Sequence, residues 1–232
     1  MGAFVRIMAA VKTALGSEAK AGAANHQETR VTPPLVPGAQ SAELVSSFAR
    51  ELEAVGGHFV GTFSATELST RTLELADRIG ALTVAIGAGV SFNTEPLANA
   101  LEQRGREVIR CAPVGDEPAR HALIERIARA DLGIVEADCA IASTGTIAVT
   151  GTPARPNALT LLPPAALAIV RADRLRPDAA AALDSLGAET IANHRVAFIT
   201  GPSRTADIEK LIVIGVHGPK QLHVLMVWPD DV

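Results

Sequence analysis

Two stretches near the C-terminal end of the chain concentrate the residue types that hold anions and move protons. Thr200-Gly-Pro-Ser-Arg-Thr-Ala-Asp-Ile-Glu209 is followed, after an apolar run, by Gly215-Val-His-Gly-Pro219. Gly and Pro fix tight turns, hydroxyls and free backbone N–H groups favour anions, and Asp207, Glu209 and His217 are groups able to transfer a proton. The strand-like run Arg195–Ile199 delivers the chain to Gly201, Pro202 and Ser203, so this segment reads as a strand-to-helix turn of the kind that collects ligands in open α/β sheets. Ser203 or Thr205 would cap that helix and leave other N–H groups for a phosphate or carboxylate. Each residue also has a plainer reading, Ser203 as a cap alone and Asp207 as a partner of the helix dipole. His217 is held between Gly215, Gly218 and Pro219, which places an imidazole in a loop as general base, ligand donor or simple hydrogen-bonder.

A third loop, Thr144-Gly145-Thr146, lies between two apolar segments. Its Gly allows a positive φ and its hydroxyls can face whatever lies above the strand ends; an ordinary turn with Thr chosen for β propensity is the competing account. Capping one helix does not require a second and third Gly-rich loop, so the three are expected to build one cradle for a small anionic ligand. Common motifs do not explain it. Ala85-Ile-Gly-Ala-Gly-Val90 lacks the third Gly of a dinucleotide fingerprint, Gly215–Lys220 lacks the length and hydroxyl of a P-loop, and no G-x-S-x-G elbow is present.

GPSRTADIE followed by GVHGP, together with Ala142-Ser-Thr-Gly-Thr-Ile-Ala-Val149, resembles the signature of the LUD-domain family, of the lactate-utilisation protein C type. The resemblance runs from about residue 41 to 228. It implies a NagB/RpiA/CoA-transferase-like α/β fold and a role, beside an iron–sulfur protein and other subunits, in cytoplasmic oxidation of L-lactate to pyruvate. The iron–sulfur clusters are expected in the partner, with no cofactor in this chain. Ser143 stands where the family is usually acidic, so no carboxylate role is carried to that position.

The elements that must position these loops follow from periodicity. Phe4, Ile7, Met8, Val11 and Leu15 recur at helical spacing and predict an amphipathic helix over residues 1–15, a tether or docking element; residues 16–40 are small, polar and Pro-containing and read as a flexible linker. Residues 41–232 form a single α/β domain. Helical stripes, such as Leu44, Val45, Phe48 and Leu52, alternate with short apolar strands at 58–62, 82–86, 107–111 and 132–135, which predicts parallel pairing with helices on both faces. After residue 136 strands follow closely, at 139–142, 147–149, 159–162 and 168–170, and predict a small antiparallel insertion or mixed sheet. A helix from Pro177 to Gly187 then precedes the strand at 195–199.

Composition narrows the function. A formal net charge of -4, 3% aromatic residues and no Tyr disfavour nucleic acid, which needs a basic face and stacking platforms. No apolar stretch reaches the ~20 residues of a membrane span. The only cysteines, Cys111 and Cys139, match no zinc or cluster spacing and read as small buried residues of a reduced, cytoplasmic protein. His58, His121, His194 and His223 have no partners at metal-ligand spacing, so no metal is assigned. Arg171, Arg174 and Arg176 read as solvated surface. An independent enzyme, an isomerase, acyl transferase or ligase acting on a phosphorylated or CoA-linked metabolite, is the alternative to the accessory subunit.

Overall fold

The computed structural model describes residues 38–206, 212–214 and 218–228, with the backbone alone at 204–206 and 212–214. The helix expected over residues 1–15 and nearly all of the stretch 16–40 lie outside the described residues. The first described helix, α1 (Ala39–Ala54), begins two residues inside that stretch. Its start is closed by Ser41, whose hydroxyl donates to the Gly38 carbonyl at 2.7 Å and accepts the Gly38 N–H at 2.8 Å.

Alternating strands and helices follow: β1 (His58–Ser64), α2 (Leu68–Arg78), β2 (Thr83–Ile86), α3 (Glu95–Gln103), β3 (Glu107–Arg110), α4 (Glu117–Ala128) and β4 (Leu132–Ala137). With β7 (Ala165–Arg171) and β12 (Gln221–Trp228) the strands form a six-stranded, wholly parallel sheet in the order β1-β12-β7-β4-β2-β3. Every residue of β4 is buried, as a central strand covered on both faces must be. Phe48 and Leu52 of α1 and Ile127 of α4 cover one face. Leu68 and Leu75 of α2 and Leu97 and Leu101 of α3 cover the other. Each large apolar side chain removed from water in this way contributes ~1.5–3 kcal/mol.

A second, four-stranded sheet in the order β8-β5-β6-β9 comprises β5 (Cys139–Ile141), β6 (Thr146–Gly151), β8 (Leu175–Arg176) and β9 (Arg195–Ile199). It is mixed: β5 runs parallel to β8, whereas β5–β6 and β6–β9 are antiparallel. Ala140, Ile147 and Val149 turn inward to join the core beneath α1. Cys139, Ile141 and Ala148 turn outward onto Ala182 of α5 (Ala179–Leu186), which is followed by α6 (Ala188–Asn193). The mostly parallel sheet flanked by helices, with a smaller insertion, is the fold class expected from the sequence.

Two expectations fail locally. Residues 159–162 are not a strand: Asn157–Thr160 is a 3-10 turn, bracketed by Pro156 and by Pro163-Pro164, with the Thr160 hydroxyl donating to the Asn157 carbonyl at 3.0 Å. Prolines on both sides remove the N–H groups a strand would need, and Leu161 and Leu162 are left exposed. The chain after Ser203 is also not a helix as far as it is described. It is β10 (Arg204–Ala206), paired antiparallel with β11 (Ile212–Ile214). β12, which no sequence signal separated from the preceding glycine-rich loop, is the second strand of the main sheet.

Candidate functional site

Thr146, the first residue of β6, is buried, and its hydroxyl lies 2.7 Å from that of Thr144 and 2.7 Å from that of Thr200. This joins the Thr144–Thr146 loop to the stretch that begins at Thr200. Three hydroxyls carry three hydrogens and the two bonds between them use two, so one O–H remains to donate outward. Thr144 and Thr200, at the two ends of the chain of hydroxyls, are exposed. When the bonds run in one direction along the chain of hydroxyls, the remaining hydrogen sits on Thr144 or Thr200, at an exposed end.

The two glycines of these loops are fixed by packing on α1. Gly145 has φ 61°, and a Cβ there would stand 2.2 Å from the Leu52 nitrogen. Gly201 has φ 80°, and a Cβ would stand 2.9 Å from both the Val55 carbonyl oxygen and its Cγ2. Both conformations favour Gly, and both approaches leave no room for a side chain. The glycines therefore seat the loops against the last turn of α1, with Thr144 and Thr200 exposed beside them.

The Gly218-Pro219 segment arrives through backbone. The Ser203 N–H donates to the Pro219 carbonyl at 3.0 Å, and Gly218 lies against Ser203. Ser203 precedes a strand and so is not a helix cap, and Thr205 lies within β10, where only the backbone is described. Pro202 is buried beside Gly201. Of the expected residues, Thr144, Gly145, Thr146, Gly201, Pro202, Ser203, Gly218 and Pro219 are thus brought together. Asp207, Glu209, Gly215 and His217 lie outside the described residues.

The position of the cluster differs from expectation. β9 belongs to the small sheet, and Pro219 is followed by Lys220 and Gln221, whose N–H groups both donate to the Pro164 carbonyl just before β7. The loops therefore gather at the amino ends of β7 and β12, not at the carboxyl ends of the parallel strands. The crevice at those carboxyl ends is filled differently. Strand order reverses between β2 and β4, and there the buried carboxylate of Glu136 accepts the N–H of Val90 at 2.6 Å and of Ser91 at 3.0 Å. A phosphate at a Gly-rich turn uses such N–H groups; in this chain an internal carboxylate takes them.

Glu136 is held in turn by Arg155, which sequence reasoning passed over because nothing in its surroundings marks a buried cation. The Arg155 guanidinium is buried, donating to the Glu136 carbonyl at 2.8 Å, the Thr150 carbonyl at 3.2 Å and the Asp138 carboxylate at 2.8 Å. Gly87 lies against the Arg155 side chain and Leu159. Of the three arginines expected on a solvated surface, Arg176 is buried with its guanidinium on the Asp173 and Leu175 carbonyls, and Arg171 pairs with Asp173 at 2.7 Å.

Cys111 and Cys139 are both buried, and burial pushes the Cys111 thiol up to about 11 and raises that of Cys139. Among the described residues no group of three His, Cys, Asp or Glu is placed to hold a metal ion, and no helix is long and apolar enough to cross a membrane.

The fold defined by these elements is matched by a crystal structure of a DUF162 family protein from Deinococcus radiodurans, with a TM-score of 0.59 at 22% identity, covering 82% of this chain and 99% of that one. The LUD domain family model matches residues 45–227, and the chain belongs to that family. It is similar to a lactate utilization protein C from Oceanobacillus iheyensis, 28% identical over 92% of this chain and 93% of that protein. A lactate utilization protein C from Halalkalibacterium halodurans is 34% identical over 46% of this chain. The chain spans about half the length of several relatives it matches, 44% of an uncharacterized protein from Neisseria meningitidis and 48% of the Halalkalibacterium protein.

Proposed function

We propose that this chain serves lactate utilisation as the ligand-binding or accessory subunit of a system that oxidises L-lactate to pyruvate, working beside an iron–sulfur protein. The names of its relatives support the lactate assignment. The observation that carries the binding role is the convergence of three loops, with the hydroxyls of Thr144, Thr146 and Thr200 in one line and one hydrogen left to donate. Such a line suits a small carboxylate. The two cysteines are buried core residues, which supports placing the iron–sulfur clusters in a partner, with this chain binding and positioning.

The test is anaerobic affinity purification of the full chain from its own cells. A brown complex with stoichiometric partners that oxidises L-lactate is the expected result. A colourless protein recovered alone would overturn the subunit role and favour an independent enzyme, to be screened against phosphorylated and CoA-linked metabolites.

A further inference from the structure

A cleft of about 900 Å³ lies between α4 and the segment 151–161, and shares no lining residue with the three loops or with the crevice at Glu136. Its first wall is α4, which is lightly docked: of its 12 residues Ile127 alone is buried, and Leu123 and Ile124 face the cleft half-covered. Its second wall is rigid. Thr152 and Arg155 close a turn through two reciprocal backbone bonds of 3.0 and 3.1 Å, and the buried Arg155 guanidinium anchors that turn to Glu136 and Asp138. Pro153 and Pro156 stiffen it further. Val114 and Leu161 complete the lining and are 38% and 44% exposed. Apolar side chains left open on both sides of one preformed cleft suit an apolar ligand, and the volume falls in the range of about 300–1,000 Å³ that holds small organic molecules. A three-carbon acid would leave most of it empty.

Charge adds a second requirement. Arg120 and Arg195 line the cleft with one carboxylate, Glu117. Arg120 pairs with Glu117 at 2.5 Å, and His121 stands 3.3 Å from Glu125. Arg195 enters no ion pair among the described residues. It is exposed at the start of β9, and its backbone is tied to the second wall by Asn157, whose Nδ2 lies 3.5 Å from the Arg195 carbonyl oxygen. Gly151 makes room for that contact, since a Cβ there would stand 2.8 Å from the Asn157 Oδ1. The lining therefore carries one positive charge in excess, beside an apolar slot.

We infer that this cleft binds a small amphipathic monoanion, a carboxylic acid with an apolar body much larger than that of lactate, its body between α4 and the 151–161 wall and its carboxylate on Arg195. A charged hydrogen bond to the guanidinium orients the acid, and Glu117 on the same lining disfavours a second negative charge. The site lies apart from the loop cluster and stands whether or not those loops bind an anion.

The test is a methyl-labelled NMR titration of the full chain with hydrocinnamate, against the matched neutral hydrocinnamyl alcohol and against L-lactate. Saturable shifts are expected at the Val114, Leu123, Ile124 and Leu161 methyls with hydrocinnamate, with affinity for the alcohol lower by about tenfold, as the loss of one charged hydrogen bond implies. L-Lactate should leave these methyls unmoved. Arg195→Gln changes an exposed side chain and should bring acid and alcohol to equal affinity. Leu161→Glu, also at an exposed position, places a like charge in the cleft and should weaken the acid more than the alcohol. Thr146→Val, which impairs the loop cluster, should leave the titration unchanged, so failure of one site is read separately from failure of the other. Unmoved methyls, equal affinity for acid and alcohol in the unaltered chain, an equal response to L-lactate, or an acid preference that survives Arg195→Gln would each overturn the assignment.

Discussion

Thr146 holds the two described hydroxyl contacts of the site, and its replacement separates binding from folding. Thr146→Val keeps the shape and removes both bonds, and because Thr144 and Thr200 are exposed and can rehydrate, stability should fall by only about 1 kcal/mol. Affinity for a small carboxylate at the loops, measured by calorimetry, should fall about tenfold; unchanged affinity with an unchanged melting temperature would remove the shared cradle. Gly145→Ala should behave in the opposite way. Its added Cβ meets the backbone of Leu52 and its φ is positive, so denaturant unfolding should register a loss of about 3 kcal/mol from the combined strain and overlap. His223 adds a pH dependence. Its folded pKa, about 4, lies below the ordinary 6.5, so its contribution is complete above pH 6.5 and is lost as pH falls toward 4. The full loss is about 3 kcal/mol at most, and His223→Leu should flatten the stability profile across that window. The sequence showed that Thr144, Gly145 and Thr146 belong with the Gly-Pro-Ser loop because their types are unusual together. It could not show His58 beside His223, since the pair exists only through the register of two strands at opposite ends of the domain.

At the scale of elements, the helices and strands before residue 136 were legible because each has a clear period: α2 and α3 bury one stripe each, and β2 and β4 are apolar runs bounded by turn residues. The later elements were harder to read, since short strands of the second sheet and the 3-10 turn at Asn157–Thr160 are equally apolar, and only Pro156, Pro163 and Pro164 distinguish them. The strand β10 in place of a helix start has the same origin: Ser and Thr at a helix cap and at a turn into a strand are chemically the same residues. Besides the shared apolar core, one buried side chain ties the two sheets together. Arg155 links the end of β4 to β6 and to Asp138, so Arg155→Met should leave a partly buried carboxylate without its cation and unpaired carbonyls beside it. A loss of about 3–5 kcal/mol follows for a broken buried pair, read as a lowered urea midpoint; a shift smaller than 1 kcal/mol would mean that water replaces the guanidinium without cost.

For the whole molecule, one face of the parallel sheet is closed by helices alone, and the other by helices together with the folded-back second sheet. The loops and the His58–His223 pair both lie at the amino end of the sheet, whereas the carboxyl-end crevice is occupied by Glu136 and Arg155 from within the chain. At the switch point of the sheet, where α/β folds usually receive ligands, this chain places its own carboxylate and guanidinium. The sheet order carries one more consequence, concerned with time. Among the described strands β1 pairs only with β12, the last of them in sequence, which also lies between β1 and β7. During synthesis β1 emerges well before β12 and must wait, with its backbone unpaired, until residues 221–228 have left the ribosome. Closure of the sheet is therefore a late event, made by contacts of high sequence separation. A chain stopped short of Gln221 would leave two strand edges open to other molecules, so premature termination should yield aggregate in place of a smaller working domain.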